Sequence, residues 1–193
     1  VAAATLALAG AIACEDVGPP GDVTVPTSDL VILPLAANAP VPFPLTFYAY
    51  NGKPTVQHLD HPDQFNTVYL ELQFPAGCLS SLNGTALSIT DSLLVTVQPR
   101  ADGYGFTLSP SGLVFTLGNT PSVTFSFGRY ADPSVADTIP GFADRQAYLA
   151  ALDVWQEVTV GRWRTARGSS VAGVDEVAAA VDAPGEFVLA AQR

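Results

Sequence analysis

From Val68 to Phe74 the chain alternates in character, with Val68, Leu70, Leu72 and Phe74 in one register and Tyr69, Glu71 and Gln73 in the other. A period of two sends each register to its own face, so this segment reads as a strand with one buried side. Val123, Phe125 and Phe127 alternate with Thr124 and Ser126 in the same way. Leu93 to Gln98 and Gly112 to Leu117 read as further strands, and Leu45-Thr46-Phe47-Tyr48-Ala49-Tyr50 runs into Asn51-Gly52, a strong turn signal. Trp155 to Val160 and Arg162 to Ala166 form a predicted hairpin over Gly161. Glu176 to Val181 and Glu186 to Ala190 form a predicted closing hairpin around Pro184-Gly185. Phe142 to Leu152 suits a short helix or a strand equally well. Short strands spaced by roughly 8–12 residues, without a long amphipathic helix or a solenoid repeat, predict an all-β fold, a sandwich or a barrel, over residues 45–193.

Before residue 45 the texture differs. Residues 15–44 carry Pro19, Pro20, Pro26, Pro34, Pro40, Pro42 and Pro44. Proline fixes φ and removes a donor, which predicts an extended, semi-rigid connector. Inside it, Asp29-Leu30-Val31-Ile32-Leu33 is apolar enough for a short edge strand or for contact with a partner, through Leu30 and Ile32. On this division, removal of residues 1–44 is expected to release a folded, soluble domain.

The first fourteen residues form a third unit. Val1 to Ala13 is uncharged and rich in Ala and Leu, and it ends at Cys14, followed by Glu15 and Asp16. Ala11-Ile12-Ala13-Cys14 resembles the end of a bacterial lipoprotein signal peptide, with Ala where Leu is more usual. Two readings stand side by side: a signal-anchor or retained apolar arm, or cleavage and lipidation at Cys14. As a helix, residues 1–13 would span roughly 20 Å, short of the ~20 residues that cross a bilayer. Either reading implies membrane association on the periplasmic side. If Cys14 is lipidated, Cys78 is left alone and buried; otherwise a Cys14–Cys78 disulfide could pin the arm to the domain.

Charge narrows the partners. The net charge is −10, with 8 basic residues against 18 acidic and Lys53 as the single lysine. Nucleic-acid binding needs a basic footprint, and docking on anionic lipid needs Lys/Arg clusters, so neither is expected. A length of 193 residues with 48% hydrophobic content fits one cored domain plus extensions.

Three motifs then carry a family likeness: Leu72-Gln73-Phe74-Pro75-Ala76-Gly77, then Ile89-Thr90 leading into Val95-Thr96-Val97, then Leu108-Ser109-Pro110-Ser111-Gly112-Leu113-Val114-Phe115. They resemble ZU5-like β-sandwich domains over about residues 65–191, with Trp155 to Trp163 and Gly185 to Leu189 in the places of that family's Trp hairpin and last strand. The charged excursion Arg129 to Arg145 departs from the pattern and reads as an inserted loop. The resemblance implies an antiparallel, immunoglobulin-like/ZU5-like sandwich used for interaction, and it brings no catalytic residues and no cofactor.

Candidate chemistry is sparse. His58-Leu59-Asp60-His61-Pro62-Asp63 offers two histidines and two nearby carboxylates, a set with zinc-ligand chemistry. A solvated turn explains it as well, and Pro62 stiffens the segment. No G-x-S-x-G is present, and Ser111 sits in a Pro-Gly turn. Asp132, Asp137, Asp144, Asp153 and Glu157 show no fixed pairing for acid–base work. Arg162, Trp163 and Arg164 alternate, which puts two arginines on one face, as partner contacts or as solvated charges over a core Trp. Phe43, Phe47, Tyr48 and Tyr50 form a second candidate contact set, with core packing as its bland explanation.

The reading that follows is a non-catalytic, membrane-tethered, extracytoplasmic accessory or scaffolding subunit of a larger bacterial membrane protein complex, photosynthetic or respiratory for instance. The alternative is a stand-alone lipoprotein whose sandwich binds a glycan or peptide. Connector side chains without partners in their own chain would favour the first, and an exposed aromatic row would favour a sugar ligand.

Overall fold

In the computed structural model, which describes residues 23–193, every strand pairing is antiparallel. The strands are β1 (Val25–Pro26), β2 (Leu30–Ile32), β3 (Leu45–Tyr50), β4 (Thr55–Asp60), β5 (Val68–Phe74), β6 (Leu79–Leu82), β7 (Thr85–Ala86), β8 (Ser92–Pro99), β9 (Gly105–Ser109), β10 (Leu113–Phe115) and β11 (Ser122–Ser126). A short helix, α1 (Arg145–Ala150), precedes β12 (Leu152–Thr159), β13 (Arg162–Thr165), β14 (Ser170–Gly173), β15 (Glu176–Ala180) and β16 (Gly185–Gln192). One sheet runs β1-β13-β12-β16-β9-β8-β3, with β2 also paired to β16. A second runs β14-β15-β11-β5-β4, and a small ribbon runs β10-β6-β7.

The alternating registers bury one face of each main sheet in a shared core, as expected of an all-β sandwich. Phe106 of the first sheet meets Phe125 of the second at 5.8 Å, and Phe47 meets Phe74 edge-on at 5.6 Å. Leu70, Leu72, Val95, Val97, Val123 and Phe187 fill the space between, all fully buried.

β16 is buried on both faces. Phe187, Leu189 and Ala191 point into the main core, whereas Val188 and Ala190 pack with Trp155, Trp163, Val25 and Leu30 in a second cluster. A strand covered on both sides reads as a continuous apolar run, which Phe187-Val188-Leu189-Ala190-Ala191 is.

The cover on the outer face comes from the segment read as connector. β1 pairs with β13 (Val25 opposite Trp163) and β2 with β16 (Val31 opposite Ala191). The Leu33 N–H donates to the Leu189 carbonyl at 2.9 Å, and the Tyr104 N–H to the Leu33 carbonyl at 2.8 Å. The extended connector thus ends well before residue 44, and residues 25–35 are built into the fold. Proline-fixed extension suits a short strand at a sheet margin as well as it suits a spacer.

Two turns differ from expectation. β15 and β16 flank Pro184-Gly185 but do not pair; β15 lies between β14 and β11, so the chain changes sheets at residues 181–184. Asn51-Gly52 likewise joins β3 of the first sheet to β4 of the second. The β12–β13 hairpin over Gly161 does form, with Gly161 at φ 73 where a side chain would be strained.

Within the Arg129–Arg145 excursion, Asp132 caps a 3₁₀ turn (Pro133–Asp137), and Asp144 accepts from the Ala147 N–H at the start of α1. Arg145 pairs with Asp137, which holds that carboxyl below its ordinary range. The ambiguous segment is therefore helix followed by strand, and these aspartates serve as caps and an ion-pair partner. α1 carries Tyr148 into the core, where its hydroxyl donates to the Val31 carbonyl at 3.2 Å.

Candidate functional site: the flank between β3 and β4

β3 and β4 are each the last strand of their sheet, and the 51–54 corner joins them. Between them lies a hollow of about 400 Å³. Consecutive residues of both strands line it, Phe47 with Tyr48 and Thr55 with Val56, so it lies against the strand edges and not on either sheet face. A smaller hollow of about 240 Å³ adjoins it and is lined by Ile89, Thr90 and Asp91 with Tyr50 and Lys53. Lys53 Nζ stands 4.2 Å from the centre of the Tyr50 ring, so this cation–π pair forms a wall of both hollows.

The outer face beside the flank is apolar and aromatic. Tyr48 is 55% exposed and lies opposite Leu94 of β8, itself 49% exposed. Thr46 and Thr96 share a 3.0 Å hydroxyl–hydroxyl bond in the next row, and Tyr50 faces Ser92. Phe43 is 71% exposed, just before β3. Phe47, of the opposite parity, is buried against Phe74 and serves the core rather than a partner.

At the far end of β4 the chain 36–44 is held by His61. Its Nδ1 bonds the Pro40 carbonyl at 2.6 Å. The ring is buried beside Tyr130 (4.5 Å) and Tyr69 (5.3 Å), and His61 Nε2 and Asp60 Oδ1 have no hydrogen-bond partner among the described residues. Asp63 organises the following loop. It accepts from the N–H groups of Phe65 and Thr67, from the Thr67 hydroxyl and from Tyr130, which together hold its carboxyl far below the ordinary range.

His58 and His61 therefore serve different partners. His58 is on the exposed side of β4, 2.7 Å from Glu71, whereas His61 is interior. Glu71 is held below its ordinary range first by the Gln73 amide and then by His58. Among the described residues no three His, Cys, Asp or Glu side chains gather as a metal-holding group.

Burial holds His61 below the usual histidine range, against the opposing pull of the Pro40 carbonyl, Asp63 and Asp60. The neutral ring donates from Nδ1, and a proton on Nε2 would find no acceptor. The unfolded chain then binds this proton more readily than the folded one. The stability His61 contributes is intact above about pH 6.5 and is lost as pH falls through its depressed folded value. Urea titrations between about pH 7.5 and 5 should show wild-type stability declining, with the decline reduced in His61→Gln. Parallel profiles for the two proteins would contradict this assignment.

The other sequence candidates lie elsewhere. Leu30 is buried against the Trp155–Trp163 cluster and Ile32 packs beside it, so their apolar surface is used within the chain. On β13, Trp163 is buried on the outer face of the first sheet under the N-terminal segment, and its indole donates to Thr27 Oγ1 at 2.8 Å. Arg162 donates to the Thr24 carbonyl and hydroxyl, and Arg164 to Gln156 Oε1. Among the described residues Cys78 has no disulfide partner, and its fully buried thiol has a pKa that burial pushes up to about 11. Cys14 and the apolar arm lie outside the described residues.

β4 and the strand-edge hollow were missed from sequence because Thr55-Val56-Gln57-His58-Leu59-Asp60 holds its polar groups on both faces and gives a weak period-two signal. No helix among the described residues is long and apolar enough to cross a membrane. The chain matches no family model, no curated protein and no solved structure.

Proposed function

We propose that this chain is a non-catalytic interaction domain, carried outside the cytoplasm on a membrane tether, that holds a partner protein within a larger bacterial membrane assembly. The observation that carries this is the exposed Tyr48, Tyr50 and Leu94 surface beside an open strand-edge hollow. Tyrosines supply large contact area at low conformational cost and are enriched at binding surfaces. The antiparallel all-β architecture supports the ZU5-like, immunoglobulin-like reading of residues 65–191, and Cys14 with the apolar arm supports the tether. The connector's apolar side chains no longer argue for a partner, since Val25, Leu30, Val31 and Leu33 are buried in their own chain. The contact surface moves instead to β3.

A photo-crosslinking residue placed at Tyr48 in cells should trap a discrete partner protein. The same residue at Val174, also hydrophobic and 91% exposed but after β14, should not. Equal crosslinking at both sites, or none at Tyr48, would refute the assigned face.

A further inference from the structure

We infer that β3 is a docking edge, to which an extended segment of the partner adds as an antiparallel or parallel strand. This rests on the proposed interaction role and names its mode.

The edges of the sheets are not alike. Proteins blunt exposed edges with short strands, proline, bulges or charge, because unpaired N–H and C=O groups invite another strand. Among the described residues, the opposite margin of the first sheet is β1, two residues long and containing Pro26. In the second sheet, β14 has a register shift at Val171/Gly173. Its other margin, β4, carries His58 and Asp60 and shifts register at Leu59/Asp60. The ribbon ends in β10 and β7, three and two residues long. Among these described edges only β3 is six residues long, uncharged, free of proline and in continuous register with its neighbour.

Its free groups can be placed. The Asn51 N–H donates to the Asp91 carbonyl on the β8 side. By antiparallel alternation, Leu45, Phe47 and Ala49 also turn their backbone groups toward β8, and Thr46, Tyr48 and Tyr50 turn theirs outward. The Tyr50 N–H is taken by Thr55 Oγ1 at 3.3 Å. Among the described residues Thr46 and Tyr48 have no partner for their outward donors and acceptors, and Tyr48 lines the 400 Å³ hollow.

Charge selects the occupant. A second copy would bring two chains of net charge −10 together, which opposes self-association. A neutral or basic extended segment meets no such overall cost, and beside the strand the charge of Lys53 is countered by Asp91, which lines the adjoining hollow with it. A sugar could stack on Tyr48 and Tyr50 but has no use for a row of backbone groups. Strand addition uses both: main-chain bonds for affinity and alternate side chains for selectivity.

The test uses the full chain, ¹⁵N-labelled, with three capped eight-residue probes of alternating Thr and Val that end in two Arg, two Gln or two Glu. The Arg and Gln probes should bind and slow amide exchange at Thr46 and Tyr48 by about tenfold or more, with the Glu probe about tenfold weaker. Thr46→Pro, which deletes an outward N–H at an edge that tolerates proline, should abolish binding, and Thr46→Val should keep it. The wild-type exchange pattern decides the matter even if Thr46→Pro misfolds. Strand addition is overturned if no probe binds, or if one binds without protecting those amides. It also falls if they are protected without probe, rising with concentration (a second copy) or independent of it (the chain's own residues). Binding of a β-linked hexasaccharide that leaves both amides exchanging would overturn it in favour of a sugar. A partner crosslinked at position 48 without amide protection would leave the interaction role standing and remove only this mode.

Discussion

A chain cut back to residues 45–193 should fail to fold, whereas residues 23–193 should fold cooperatively. The segment before β3 supplies Val25, Leu30, Val31 and Leu33, all at 6% exposure or less. Burying each such side chain contributes about 1.5–3 kcal/mol, so the four together rival the roughly 5–15 kcal/mol that hold a domain folded. Their removal also uncovers Trp155 and Trp163 and strips the partners from the Tyr104 N–H, the Leu189 carbonyl and the Tyr148 hydroxyl. Circular dichroism and urea unfolding of the two fragments provide the check. A cooperative transition in the 45–193 fragment would mean that the N-terminal strands are ornament, as the proline pattern alone suggests.

Asn51→Ala should cost about 3–5 kcal/mol, an unusually large loss for a turn residue. Asn51 is 4% exposed. Its amide donates to the Leu79 and Ser88 carbonyls at 2.9 and 3.1 Å, and its carbonyl oxygen accepts from the Leu79 N–H at 3.0 Å. Alanine leaves the buried Leu79 N–H unsatisfied and unties the corner from both β6 and the turn before β8. That corner sets β3 against β4, so the flanking hollow should open with it. Equilibrium urea unfolding measures the effect, and a loss below about 1 kcal/mol would show that water or backbone movement replaces these bonds.

Asn51 also shows where sequence reading stopped. Asn-Gly after an alternating strand announces a turn, and a turn is present, yet hairpin logic would pair β3 with β4. What decides is tertiary: the buried amide ties the corner to a distant strand, a contact that local pattern does not encode. The same holds at Pro184-Gly185. Period-two alternation tells which side of a strand is buried but not which strand lies beside it, so the strands in β5, β8, β11 and β12–β13 were legible while their sheet order was not. In Leu30 to Leu33 the apolar run was visible, but nothing local says whether such a run meets its own core or a partner. The long run in β16 held the missing clue, because five successive apolar residues need cover on both faces. Of the candidate contact residues, Tyr48 and Tyr50 could be read as outward-facing from their parity. That the outer side of β3 lacks a neighbouring strand among the described residues needs the whole topology.

The role proposed for this domain is to hold another protein. Native purification of the full chain from cells in mild detergent, with mass spectrometry of its N-terminus and of co-purifying chains, puts that role to the test. A stoichiometric membrane partner is expected, and it should be lost when Tyr48 and Tyr50 are both changed to serine. A chain that purifies alone, or a partner indifferent to both substitutions, would contradict it.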